Sequence, residues 1–310
     1  MKIADSKSRH VSVLLSEVVE TFASFSDAVL LDVTFGGGGH SRGLLEKLAD
    51  CRISAFDRDG RAVERGLQWS NEYGGRLHLQ QARFSQIEML TGDMVFDGIL
   101  ADLGMSTDQL YEQRGFSFAD EESLDMRMDE NDELTASEFV NTASERELYM
   151  ALIEGGVGAH SKRLAYFIAD KRPFKTSREL AEAIRKAQLG KRGIGKSHPA
   201  TVVFQAIRMK INREREEIEA FLDAVPRLIN RATGKLAVIT FHSIEDALVA
   251  RKLRTWESGG TYPASWRGPR NEKRLGRVWP KKPALPTSSE IAENPASRSA
   301  RLRVFEFQEM

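Results

Sequence analysis

Asp32-Val-Thr-Phe-Gly36-Gly37-Gly38-Gly39-His40 follows the apolar run Val29-Leu-Leu and precedes Ser41–Leu48, whose apolar spacing predicts a helix. A strand, a glycine bend and a helix in that order form the first half of a crossover unit, and nucleotide-like cofactors settle at the carboxyl end of such a strand. The glycines allow a sharp turn and leave no side chain between the loop and a ligand. The same rhythm continues outward. Arg52–Phe56 reads as a strand ending at Asp57, Gly60–Tyr73 as a helix, and Leu77–Gln81 and Phe96–Ala101 as further strands. Strands alternating with helices predict a mostly parallel, doubly wound sheet.

The rhythm stops between about Glu112 and Lys196, where only helices are predicted. Capping-box spacings start three of them at Thr135, Ser144 and Thr176, and Gly155-Gly156 and Gly190 stop the second and third. A long helix is expected from Pro199. Its apolar face is Phe204, Ile207, Ile211, Ile218, Phe221 and Leu222, with Pro226 beyond its end. The strand pattern returns at Gly234–Phe241, a helix is expected at Ile244–Leu253, a loop at Trp256–Pro286, and a last strand at Arg301–Phe307. These readings give an α/β chain in three segments: 1–111 and 215–310 form the sheet domain, and 112–214 is an inserted helical domain.

Composition bounds the function. The 310 residues are 41% hydrophobic and 29% charged, with a formal net charge of zero and one cysteine, Cys51. No apolar run reaches the ~20 residues of a membrane span. No secretory leader is expected from the polar start, Met1–His10. One cysteine provides neither a disulfide nor a zinc site, so no metal is expected and a cytoplasmic location is. Neutrality hides segregation: Asp97–Glu154 carries 16 acidic and 3 basic residues, Ser161–Arg215 carries 15 basic and 4 acidic, and Arg251–Arg303 carries 13 basic and 4 acidic. Basic stretches of this kind suit a phosphate backbone, or simply solvated helix faces.

Asp57 lies 25 residues after Asp32, where a carboxylate accepts both hydroxyls of a ribose. A dinucleotide is disfavoured. Neither Gly36-x-Gly38 nor Gly37-x-Gly39 is completed by a glycine or alanine, since Ser41 and Arg42 occupy those places. Asp32 ahead of the bend suits a cationic ligand better than a pyrophosphate. S-adenosylmethionine carries an ammonium and a sulfonium, and is the preferred cofactor. Asp102-Leu-Gly-Met-Ser-Thr107, after the fourth strand, stands where the reactive end of the cofactor should meet its substrate.

With these motifs in place, the chain resembles the bacterial small-subunit (16S) ribosomal RNA cytosine-N4 methyltransferases. The resemblance runs over nearly its whole length. It is carried by His10–Glu17, Asp32–His40, Asp102–Gln109, Arg114–Phe118, Leu124–Asp129, His198–Thr201, Phe204–Arg208 with Asn212, Phe241–Asp246 and Glu293–Ser299. It implies a Rossmann-like S-adenosylmethionine-dependent methyltransferase fold with an inserted all-helical domain. It also implies methylation of a cytosine N4 amine near the decoding site, and cofactor contacts at Gly38, Gly39, His40, Asp57, Phe84, Asp102 and Gln109, with Phe84 on the adenine. Two stretches depart from the family pattern: Gly156-Val157-Gly158, and Ser106-Thr107-Asp108-Gln109.

The expected cofactor set is therefore Asp32, Gly36, Gly37, Gly38, Gly39, His40, Asp57, Phe84, Asp102 and Gln109. Asp102 is the first candidate for accepting a proton of the target amine, with Asn212 and His242 as alternatives; Asn212 would read the base edge, and His242 equally suits a capping role. Lys162, Arg163, Lys171, Arg172, Arg208, Lys210, Arg298 and Arg301 are the candidate phosphate contacts. The expected partner is small-subunit ribosomal RNA, free or in a particle, with the protein a monomer or homodimer. Two other classes stay open: an amino methyltransferase acting on another RNA or on DNA, and a non-catalytic assembly factor that keeps the cofactor site.

Overall fold

The computed structural model describes residues 12–105, 109, 114–117, 123–188, 200–260 and 273–309. His10 and Val11 of the opening motif, Ser106 to Asp108, Phe118, the helix stop at Gly190, and His198 and Pro199 lie outside the described residues, as do 261–272 of the basic C-terminal stretch. The chain divides into two compact units, 1–105 with 217–310, and 106–216.

The first unit holds a seven-stranded sheet: β1 (Val29–Asp32), β2 (Arg52–Asp57), β3 (Leu77–Gln81), β4 (Gly98–Asp102), β5 (Lys235–Thr240), β6 (Gly276–Val278) and β7 (Arg301–Phe307). The strand order is β3-β2-β1-β4-β5-β7-β6. Strands β1 to β5 pair in parallel, and β7 runs antiparallel to β5 and β6. Helices α1 (Leu15–Phe22), α2 (Gly39–Lys47), α3 (Gly60–Ser70) and α4 (Phe84–Thr91) accompany the first strands. The order reverses between β1 and β4, which opens a crevice beyond their carboxyl ends.

Buried strands alternate their side chains between two apolar layers. Leu31, Phe56, Ile99 and Val238 pack on one face with Phe221, Val225 and Val249, while Leu30, Ile53, Leu100 and Ile239 pack on the other with Val18, Phe22 and Leu44.

The second unit contains α5 (Ala136–Thr142), α6 (Glu145–Glu154), α7 (Ser161–Asp170), α8 (Ser177–Gln188) and α9 (Ala200–Ile211), and no strand among the described residues. Thr135 and Ser144 cap α5 and α6 through their hydroxyls, as their spacing predicts.

Three sequence expectations change. The long helix after Pro199 is two helices, α9 and α10 (Glu214–Leu228), separated at Arg213 with φ 51°. The Asn212 side chain, fully buried, holds the Met126 carbonyl, the Met128 N–H and the Arg208 carbonyl, and the chain turns there. Pro226 lies inside α10 rather than beyond it, because Ile218, Phe221, Leu222, Val225 and Leu228 carry one buried face across it. The helix expected at Ile244–Leu253 is α11 (Ser243–Ser258), ending at Gly259 in the left-handed region. Trp256 therefore belongs to the core, 5.4 Å from Phe305 and 5.6 Å from Phe307 between ring centres, and not to a loop. Gly276–Val278 of the same expected loop is strand β6.

Candidate active site

Three adjacent strands, β2, β1 and β4, each end in an aspartate: Asp57, Asp32 and Asp102. The glycine bend crosses their tips. Gly36 and Gly38 have φ of 54° and 76°, and the Gly38 N–H closes a 2.7 Å bond to the Phe35 carbonyl. Helix α2 starts behind Gly38 with no side-chain cap, so its first N–H groups carry no side-chain acceptor.

Asp57 accepts the Gly36 N–H at 2.7 Å on one oxygen and the Asp59 N–H at 2.8 Å on the other. Each carboxylate oxygen keeps a second acceptor position. Burial pushes the Asp57 carboxyl up to about 6, against the relief its two N–H donors give.

Asp32 is used differently from expectation. It is 1% exposed, takes the Ser41 hydroxyl at 2.7 Å and the Thr34 N–H at 3.1 Å, and burial raises its pKa. It ties the end of β1 to the start of α2 and so shapes the bend rather than facing a ligand. Gly38 and Gly39 also differ. A Cβ on Gly38 would meet Phe35 and Trp69, and one on Gly39 would meet Ser12. Their missing side chains make room for the protein's own packing, where Phe35 and Trp69 stack 5.6 Å apart.

His40 is 4% exposed. Its Nε2 lies 2.9 Å from the Val13 carbonyl, and its Nδ1 faces the Asp102 carboxylate at 3.6 Å. Asp102 keeps a small opening, its side chain 12% exposed, and its N–H donates to the Thr34 hydroxyl at 2.6 Å. One histidine thus pins the N-terminal segment at Val13 and packs beside the carboxylate at the tip of β4.

Phe84 opens α4 just past β3. It is half-buried and packs on Phe221 at 5.4 Å between ring centres. Ser85 beside it is clamped by Glu217, which accepts both its N–H and its hydroxyl. Beyond β5, His242 caps α11. Its Nδ1 accepts from the Glu245 N–H, and its Nε2 lies 2.8 Å from the Glu245 carboxylate. That is the capping alternative for His242. The sequence reading did not find Thr34, Ser41 or Glu217. Thr34 lies within the quoted stretch and Ser41 directly follows it, whereas nothing local marks Glu217.

In the second unit, Gln109 is buried and the Asn212 amide is occupied by the backbone of Met126 and Met128. Asn212 is therefore a structural clamp there, not a group open to a base edge. The candidate phosphate contacts divide in the same way. Arg172 donates to the carbonyls of Val140 and Ala143 at the end of α5. Arg208 forms a two-pronged pair with Glu214 at 2.7 and 2.9 Å, and Arg163 reaches the Ala187 carbonyl. Lys171 pairs with Asp170 at 2.8 Å, and in the first unit Arg301 lies 3.3 Å from Asp246. Lys162, Lys210 and Arg298 are exposed. Among the described residues, no helix is long and apolar enough to cross a membrane.

Comparison with known proteins adds an independent line. A sequence model of the MraW methylase family matches residues 7–308. The ribosomal RNA small subunit methyltransferase H of Trichormus variabilis is 39% identical over 307 residues, 99% of this chain and 94% of its own. The proteins of the same name from a Cyanothece species and from Sulfurimonas denitrificans are 41% identical over 296 residues and 39% over 306. The alignments cover 95% of this chain and 93% of the Cyanothece protein, and 96% of this chain and 98% of the Sulfurimonas protein.

Proposed function

Because the chain belongs to the MraW methylase family, we propose that it methylates small-subunit ribosomal RNA with S-adenosylmethionine, at the N4 amine of a cytosine near the decoding site. The observation that carries this reading is the pair of aspartates, Asp57 and Asp102, at strand tips on either side of a left-handed glycine bend that Asp32 holds in shape. That donor set fits the cofactor. Carboxylates receive ribose hydroxyls and stand well beside a sulfonium and an ammonium, whereas a pyrophosphate would be repelled by them. Asp57 would hold the ribose, Phe84 would lie along the adenine, and the bend would accommodate the amino-acid end.

The cofactor, when bound, supplies a methyl group already activated by positive sulfur. The protein's work is positioning and charge. A cytosine amine is a weak nucleophile because its lone pair is conjugated with the ring. It must be held in line with the methyl carbon, within roughly 3–3.5 Å. Asp102 accepts one amine proton in a hydrogen bond, which stabilises the positive charge that develops on nitrogen as the methyl transfers. His40 at 3.6 Å and the Thr34 hydroxyl under its N–H steady Asp102. The target base must be unstacked or single-stranded to reach this depth. Among the candidate phosphate contacts, the exposed Lys162, Lys210 and Arg298 would be available.

The test is transfer of labelled methyl groups to small-subunit particles from a strain that lacks the modification, with the nucleotide mapped by mass spectrometry. Label on a cytosine of the small-subunit RNA is expected. Asp102→Ala should bind cofactor in calorimetry and transfer nothing. Near wild-type turnover by that variant overturns the acceptor role, and label on no small-subunit nucleotide overturns the substrate.

A further inference from the structure

Helix α7 buries Ser161, Leu164, Ala165 and Ile168 on one face. On the opposite face Tyr166 is 60% exposed, the most open aromatic among the described residues. Lys162 and Arg163 precede it by four and three positions, the spacing that places side chains side by side on a helix. Arg163 bonds the Ala187 carbonyl at the end of α8, whose last turn also carries the exposed Arg185 and Lys186. On α7 itself Asp170, four positions after Tyr166, is paired with Lys171 at 2.8 Å. Cations prevail around an aromatic ring that no core claims.

A tyrosine contributes little to a helix by propensity, and this one buries no face. A ring set among cations is what an unpaired base stacks on, while the cations follow its phosphates. We infer that Tyr166 is a stacking platform for an unpaired base of the RNA substrate, outside the methyl-transfer centre. The inference rests on the RNA-methylating reading above and adds the chemistry by which the helical unit engages a single-stranded segment.

The test uses the full chain and a labelled fragment of small-subunit RNA that the wild type methylates, with binding followed through a salt series. Tyr166→Ala should weaken binding about tenfold, within the range known for losing one stacked base. Tyr166→Phe should stay within about twofold, since the ring remains. The salt slope should be unchanged in both, and should fall by about one in Lys162→Ala, which loses a phosphate contact. Cofactor affinity, measured on each variant, should match wild type and reports that the sheet unit is intact. Wild-type binding by Tyr166→Ala, or equal losses in the Ala and Phe variants, overturns the stacking role. A loss seen with assembled particles but not with the naked fragment assigns the ring to a protein partner and also overturns it. If the wild type methylates no small-subunit RNA, the parent reading fails first, and that result is read without any Tyr166 variant.

Discussion

Asp57 offers the sharpest physical test of the cofactor site. Its carboxyl titrates at about 6 in the folded protein because burial outweighs the two N–H groups it accepts. A ribose at the tip of β2 would donate its hydroxyls to the charged form, so binding draws Asp57 towards ionisation. The sign follows: below about pH 6 the protonated carboxyl must first lose its proton, and affinity falls. If bound Asp57 stays ionised, the apparent Kd grows by about 1 + 10^(6 − pH). That factor is close to one at pH 7.5 and about 11 at pH 5.0. Calorimetric titration with S-adenosylhomocysteine across that range should therefore show affinity falling about tenfold. Near pH 6 about half a proton should be released per binding event, detectable as a dependence of the heat on buffer ionisation enthalpy. Asp57→Asn should bind weakly at pH 7.5 and lose most of the pH response. An affinity that is flat from pH 7.5 to 5.0, in protein still folded by circular dichroism, refutes the role of Asp57. The same shift bears on stability with the opposite sense. The unfolded carboxyl titrates at its ordinary value of 3.8, so ionised Asp57 costs the empty fold about 3 kcal/mol at every pH above 6. Bound cofactor offsets part of that cost.

Other predictions concern the frame. Gly38→Ala combines a left-handed φ with a Cβ 2.6 Å from Phe35 Cζ, and should lose about 2–4 kcal/mol in urea unfolding; a loss under 1 kcal/mol would mean the bend relaxes freely. Asn212→Ala strands the Met126 carbonyl and the Met128 N–H, and should cost about 2–4 kcal/mol, whereas a base-reading Asn212 would leave stability unchanged and lower only RNA methylation. Arg303 holds the buried Asp246 at 2.7 and 3.0 Å, with Arg301 at 3.3 Å. Burial pushes the Asp246 carboxyl up, but the Arg303 bonds and the arginine charges more than reverse it, leaving it below the ordinary carboxylate value. Arg303→Met should then cost about 3 kcal/mol at pH 7. A depressed carboxylate contributes stability above its unfolded pKa, so the deficit should shrink as pH falls through 3.8 and below; a deficit independent of pH would contradict the ion pair.

The elements of the sheet were legible because each strand and its turn carry their own pattern. Val29–Asp32, Arg52–Asp57 and Leu77–Gln81 run where the apolar runs place them, with an aspartate at each of the first two ends. What was misread depends on partners far along the chain. The apolar face from Phe204 to Leu222 is continuous at helical spacing, and nothing in it announces the break at Arg213. The break is set by Asn212 bonding to Met126 and Met128, 86 and 84 residues away. Trp256 lay in a Gly- and Pro-rich stretch, yet it belongs to the core because β7 brings Phe305 and Phe307 against it.

The arginines make the same point about function. A basic residue in sequence has one charge and an undecided role, and the competition between phosphate and carbonyl is settled by geometry. Arg172 and Arg208 are committed to the C-terminal end of α5 and to Glu214, and moving either guanidinium to a phosphate would strand the acceptors it leaves. Glu214 is 8% exposed, so releasing Arg208 would leave a buried carboxylate unpaired, which costs about 3–5 kcal/mol. One phosphate contact does not repay that. The residues open to RNA are thus those the fold has not committed, such as Lys162, Arg298 and the ring of Tyr166, and a count of basic residues along the chain overstates the number of cations such a surface can offer.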